Sequence, residues 1–127
     1  MTIWLAVAAG GAIGSMFRYG IGQLTINLLG APTIVSTLAV NVSGSFLLGL
    51  FYTLSNDRIV TSIEIRVLIG VGLIGGYTTF STFSFETIRL LESGESIKAV
   101  ANISSNLLLG IGAAYIGIYI GKVFNFS

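Results

Sequence analysis

Four apolar stretches, about Ile3 to Leu28, Thr33 to Leu54, Ile65 to Leu91 and Ile97 to Val123, take up nearly all of this 127-residue chain. A spanning helix needs roughly 20 apolar residues at about 1.5 Å of rise each, so every stretch is long enough to cross a bilayer. Charged residues fill only 9% of positions and the mean hydropathy is +0.93, whereas about a quarter of the residues in a soluble domain are charged. The expected fold class is therefore an all-α membrane protein, a single transmembrane domain over residues 1–127 with four helices per subunit. The first stretch has no basic segment before it and no small-residue cleavage pattern, so it reads as a retained helix and not as a signal peptide.

The residues available for chemistry are few. There is no cysteine and no histidine, and there are five carboxylates, which excludes disulfides and leaves almost nothing for a side-chain metal site or a proton relay. Ordinary enzymology is not expected. The net charge is +1 and no basic stripe exists to neutralise phosphates, so nucleic acid is not an expected partner. The lipid bilayer is.

Short turns join the stretches: Gly30-Ala31-Pro32, Ser55-Asn56-Asp57-Arg58, and Glu92-Ser93-Gly94-Glu95-Ser96. Successive helices then run antiparallel. Both termini and the second turn share one side, with Arg58, Arg66 and Lys122; Arg18, Arg89 and Lys98 fall nearer the other. Lysine and arginine bias sets membrane orientation. An even balance permits insertion both ways and an antiparallel, dual-topology homodimer.

Within the third stretch the run Gly75-Gly76-Tyr77-Thr78-Thr79-Phe80-Ser81-Thr82-Phe83-Ser84-Phe85 concentrates hydroxyls, glycines and aromatics where a helix should be dry. Gly75-Gly76 followed by the weak helix formers Thr78 and Thr79 predicts a break near the middle of the third helix. Non-helical backbone at that depth survives only where protein or a polar cavity satisfies it. Freed carbonyls suit a cation and freed amides an anion. Other glycine spacings, Gly10-x-x-x-Gly14, Gly70-x-Gly72, Gly110-x-Gly112 and Gly117-x-x-x-Gly121, read as helix packing.

Asn41 in the second span is costly to bury without partners; it serves either as interhelical glue or as part of a polar path. Asn102 and Asn106, four apart, share one face of the fourth span beside Ser104 and Ser105, which makes a polar track. Phe80 and Phe83 also share a face; they are either core packing or a pair of electropositive ring edges turned to an anion. A small, strongly hydrated anion needs every such donor as it sheds water. Arg18 either snorkels to the interface or draws anions into a vestibule. Glu86 and Arg89, three apart, are placed to pair with each other. No carboxylate occurs in the first, second or fourth span, so no proton-coupling acid is evident there.

The run from Gly75 to Phe83, with Asn41 in the preceding helix and Arg18-Tyr19 in the first, closely resembles the Fluc (CrcB) family of fluoride channels, over essentially the whole chain. That resemblance implies two four-helix subunits assembled antiparallel into a homodimer with two fluoride pores, which lets a microbe expel the toxic anion passively across its plasma (inner) membrane. By motif position it implies that the ring edges of Phe80 and Phe83 and the amide of Asn41 contact fluoride, and that Ser81 and Thr82 lie along the pore. It further implies one structural sodium ion on the dimer axis, held by backbone carbonyls of Gly75 and Thr78. The fourth helix departs from many relatives, which carry a tyrosine and, four residues later, a serine where Asn102 and Asn106 stand; both replacements still form hydrogen bonds. Two other classes compete: a proton-coupled small multidrug transporter, which resembles a carrier built on a glutamate in its first helix that this chain lacks, and a non-transporting membrane subunit, which leaves the hydroxyl and phenylalanine run without a purpose.

Overall fold

The computed structural model describes residues 2–57 and 62–125, and these are helical with no strand among them. Arg58, counted in the charge balance above, lies outside the described residues. Helix α1 is Ile3–Leu29 and α2 is Thr33–Asp57. The next helix, α3, begins with Ile63–Arg66, widens into π geometry over Val67–Ile74 and closes with the turn Gly75–Tyr77. After a two-residue gap, α4 is Phe80–Glu92 and α5 is Ser96–Asn125. Three runs, Thr33–Ser55, Ile63–Glu92 and Ser96–Phe124, are long and apolar enough to cross a membrane. Helix α1 has comparable length at 27 residues and mixes its apolar residues with Arg18, Gln23 and Asn27.

The turns end helices by local chemistry. Gly30 takes a left-handed conformation (φ 59°) and its N–H returns to the Ile26 and Thr25 carbonyls; Pro32 then blocks any continuation. Gly94 is left-handed as well (φ 78°), and the Glu95 N–H closes on the Leu90 carbonyl at 2.9 Å.

Two helix pairs carry the packing. Helix α1 lies on α3 with almost no side chain between them: a Cβ on Gly72 would come 2.8 Å from the Val7 carbonyl oxygen, and those on Gly10 and Gly14 would collide with the Leu68 and Leu73 carbonyls. Helix α2 lies on α5 in the same manner, with Gly49 against Ala114 and Gly117 against Phe46. In lipid there is no hydrophobic drive between helices, so such close backbone approach and its dispersion contacts supply the association. Gly70 and Gly72, two residues apart, face opposite neighbours, Tyr52 of α2 and the backbone of α1. Gly112 meets nothing within 4 Å, so the packing expectation does not extend to it within one subunit.

The break falls in the second half of the run expected to interrupt the third helix. Gly75 and Gly76 remain helical, and the chain becomes extended at Thr78 (φ −83°, ψ 160°) and Thr79 (φ −149°, ψ 118°). The glycines are used differently: a Cβ on Gly76 would sit 2.9 Å from the Gly11 carbonyl oxygen, so its bareness serves the contact with α1.

Candidate functional site

Every residue of the break has a partner. Thr79 is buried and meets the side chain of Asn41 edge to edge: its N–H donates to Asn41 Oδ1 at 2.8 Å and its carbonyl accepts from Asn41 Nδ2 at 3.0 Å. This paired geometry copies a rung of β-sheet and fixes which end of the amide is which. The Thr79 hydroxyl accepts from the Thr82 N–H at 3.2 Å, capping α4, and donates to Thr82 Oγ1 at 2.9 Å. On the other side, the Thr78 carbonyl accepts from Arg18 Nη1 at 3.4 Å. These contacts replace the ladder bonds the break gives up, which is the condition for non-helical backbone at membrane depth.

From Asn41 a directed chain of hydrogen bonds runs into α5 and returns to α4. Asn41 Nδ2 donates to Asn106 Oδ1 at 2.9 Å, and Asn106 Nδ2 donates to the carbonyl and Oδ1 of Asn102 at 3.0 and 3.1 Å. Asn102, buried, donates to Thr87 Oγ1 at 3.0 Å, and that hydroxyl donates to the Phe83 carbonyl at 2.8 Å. The stacked amides therefore hold α2, α4 and α5 together at one level. Such a network fixes a unique arrangement only when each member is satisfied.

Two cavities meet at Thr79. One, of about 360 Å³, is lined by Arg18, Tyr19, Gln23, Thr37, Thr79 and Thr82, among others. Arg18 is half-buried and forms no salt bridge with a carboxylate among the described residues. Its unspent donors, the hydroxyl of Thr82 and the amide of Gln23 give this cavity a positive, donor-rich wall. The other, of about 250 Å³, is lined by Asn41, Ser45, Thr78, Phe80, Phe83 and Asn106, with Gly44, Leu48, Thr79 and Leu107. The Phe80 and Phe83 rings touch there, with centroids 5.6 Å apart and planes tilted by 55°. Phe83 is buried, whereas Phe80 is 76% exposed on the subunit surface.

The structure thus divides the residues singled out from sequence. Asn41, Thr78, Phe80, Phe83 and Asn106 share one cavity, and Arg18 and Thr82 share the other. Ser81, exposed, touches the Thr79 hydroxyl at 3.3 Å. Asn102 lines neither and acts through Asn106. Gly75 is exposed on the outer face of α3; its carbonyl meets the Thr78 hydroxyl at 3.4 Å.

From the sequence Thr79 reads only as a weak helix former at the break and not as a site residue, although its place between Thr78 and the aromatic Phe80 is a signal; Ser45, one turn beyond Asn41, and Thr87 carry no assignment there. The expected Glu86 pairing with Arg89 is absent. Glu86 is buried, with Oε1 accepting from the Thr37 hydroxyl at 2.9 Å and Oε2 left without a partner. Phe83, Glu86, Thr87 and Leu90 form the inward stripe of α4, and Arg89 falls off that stripe onto the exposed side.

No group of three or more carboxylate, histidine or cysteine side chains that could hold a metal ion occurs among the described residues. Any cation here would be held by neutral carbonyls. The carbonyls of Gly75 and Thr78 stand at the negative, C-terminal end of α3, and both suit a hard monovalent ion in kind. The Thr78 carbonyl would share it with Arg18.

The match to known proteins agrees with this architecture. A family model described as CrcB-like protein, Camphor Resistance (CrcB), matches residues 5–118. A protein of Shewanella amazonensis named "Fluoride-specific ion channel FluC" is 49% identical over 113 residues, covering 89% of this chain and 90% of the relative. One of Shewanella woodyi with the same name is 50% identical over 113 residues, with 89% and 90% coverage. Another of that name, from Thermus thermophilus, is 46% identical over 121 residues, with 95% and 96% coverage. With matches that span the broken helix and both cavities, the chain belongs to the CrcB-like family.

Proposed function

We propose that this protein is a passive, fluoride-selective channel of the cell membrane that lowers intracellular fluoride, and not an enzyme. The observation that carries the reading is the broken helix: a polar seam at Thr78 and Thr79, held open by Asn41 and Arg18, with a donor-rich cavity on one side and a phenylalanine-walled cavity on the other. The relatives' printed name supports fluoride as the anion. Donors in a dry passage replace the water a small anion sheds, which a weakly hydrated ion does not require. In the proposed path Arg18 raises the local anion concentration, Thr82 and Ser81 offer hydroxyls, and Asn41 with the Phe80 and Phe83 ring edges faces the ion beyond the break. Asn102 and Asn106 polarise the Asn41 amide through their chain of bonds.

Helix α1 serves in this reading as a fourth span, since its 27 residues exceed what a crossing needs. The working unit is an antiparallel homodimer. Phe80, Ser81 and Thr82 are exposed on the subunit, and hydroxyls facing lipid would be unsatisfied; a second copy covers them and completes the wall. A sodium ion bound by the Gly75 and Thr78 carbonyls of both copies would supply fixed positive charge at the axis. A proton-coupled carrier finds no support in α1, which contains no carboxylate.

Liposomes holding the purified protein and loaded with potassium fluoride and chloride test the reading, with both anions followed by electrode. Fluoride release with chloride retained is the expected result. Equal release of both, or of neither, overturns it.

A further inference from the structure

One tyrosine beyond the break has an unspent donor and a held position. A third cavity, of about 380 Å³ between α2 and α5, is lined by Ser45, Leu48, Gly49, Tyr52, Thr53, Ala114 and Ile118. It shares Ser45 and Leu48 with the phenylalanine-walled cavity, so the two form one groove. Asn41, Ser45, Leu48 and Tyr52 recur at helical spacing along a single face of α2. From Asn41 to Tyr52 the helix rises roughly 16 Å, about half the thickness of a hydrocarbon core. The groove therefore leads from the break toward the membrane surface at the C-terminal end of α2.

Most hydroxyls along it are turned inward. Ser45 donates to the Asn41 carbonyl at 2.6 Å and Thr53 to the Gly49 carbonyl at 2.8 Å. Their protons are thereby spent on backbone carbonyls of their own helix. Tyr52 is different: its hydroxyl has no hydrogen-bond partner among the described residues, and its ring lies on bare backbone at Gly70. A Cβ there would stand 2.5 Å from the hydroxyl oxygen and 2.7 Å from Cζ, so glycine at this point of the π-widened segment is what gives the tyrosine its place.

We propose that this groove is the outer half of the anion path, and that the Tyr52 hydroxyl is the hydrogen-bond donor that receives the anion and its returning water beyond the phenylalanines. This rests on the channel reading above. The absence of natural cysteine makes the test direct.

Leu48→Cys is labelled in liposomes with a small, negatively charged, water-soluble thiol reagent, while fluoride efflux is followed in parallel for the unmutated protein and for Tyr52→Phe. Labelling that stops efflux and is slowed by high fluoride is expected. Tyr52→Phe, which keeps the ring on Gly70, is expected to slow efflux about tenfold, as loss of one hydrogen bond to an ion does, with elution volume and thermal midpoint unchanged. An introduced thiol that reacts only with a lipid-soluble maleimide overturns the groove as a path. Tyr52→Phe efflux at the unmutated rate, or a Tyr52→Phe protein that aggregates, overturns the role of the hydroxyl, and the Leu48→Cys result then decides the groove alone. Should the unmutated protein release no fluoride, the channel reading fails, whereas aqueous labelling of the introduced thiol still reports whether the groove is wet.

Discussion

At the scale of single residues, Asn41 does the most with the fewest atoms. Its amide spans both backbone groups of Thr79 and starts the chain through Asn106. Asn41→Leu leaves a buried N–H and a buried carbonyl unpaired, each costing about 1–3 kcal/mol, and should lower the thermal midpoint clearly in detergent. Phe80→Ile is the opposite case: the ring is 76% exposed, so the midpoint should hold while fluoride efflux falls at least several-fold. If both variants lost stability equally, the separate roles given to the two residues would be wrong. The sequence shows that Asn41 is an expensive amide in an apolar helix, but not that its partner is a backbone group 38 residues away. That partner exists only because the break falls at Thr79. Glu86 illustrates the same limit: spacing alone offered Arg89, whereas the inward stripe of α4 carries the carboxylate to Thr37.

At the scale of helices, the sequence discloses the apolar runs that become Thr33–Ser55, Ile63–Glu92 and Ser96–Phe124, because apolar length is a one-dimensional signal. The site of the break is not one-dimensional. Gly75 and Gly76 are weak helix formers, yet both stay helical, Gly76 in close contact with α1, and the extended conformation falls at Thr78 and Thr79, where Asn41 and Arg18 replace the lost bonds. Glycines of like appearance therefore differ in consequence. Gly14→Ala drives a methyl into the Leu73 carbonyl and should destabilise by about 2 kcal/mol, as overpacking does. Gly112→Ala meets open space and should be neutral or stabilising by up to about 1 kcal/mol in a helix interior. Thermal unfolding of the two variants side by side checks the pair.

At the scale of the whole molecule, one subunit is an unfinished object. Its phenylalanine wall and hydroxyls open onto its own outer face, and in the proposed assembly a second, inverted copy would close them. Gly75 tests the assembly: its Cβ position meets only the Gly70 carbonyl, at 3.6 Å, so Gly75→Ala fits within a subunit. A shift from dimer to monomer on size exclusion in that variant, with helicity retained, is expected if the carbonyls at this point join the two copies; an unchanged dimer would remove Gly75 from the interface. Planar-bilayer recording under opposed fluoride and chloride gradients tests the central claim most directly. The account predicts a current that reverses at the fluoride equilibrium potential whatever the chloride gradient. A reversal that follows chloride, or the lack of any current with the protein incorporated, would contradict it.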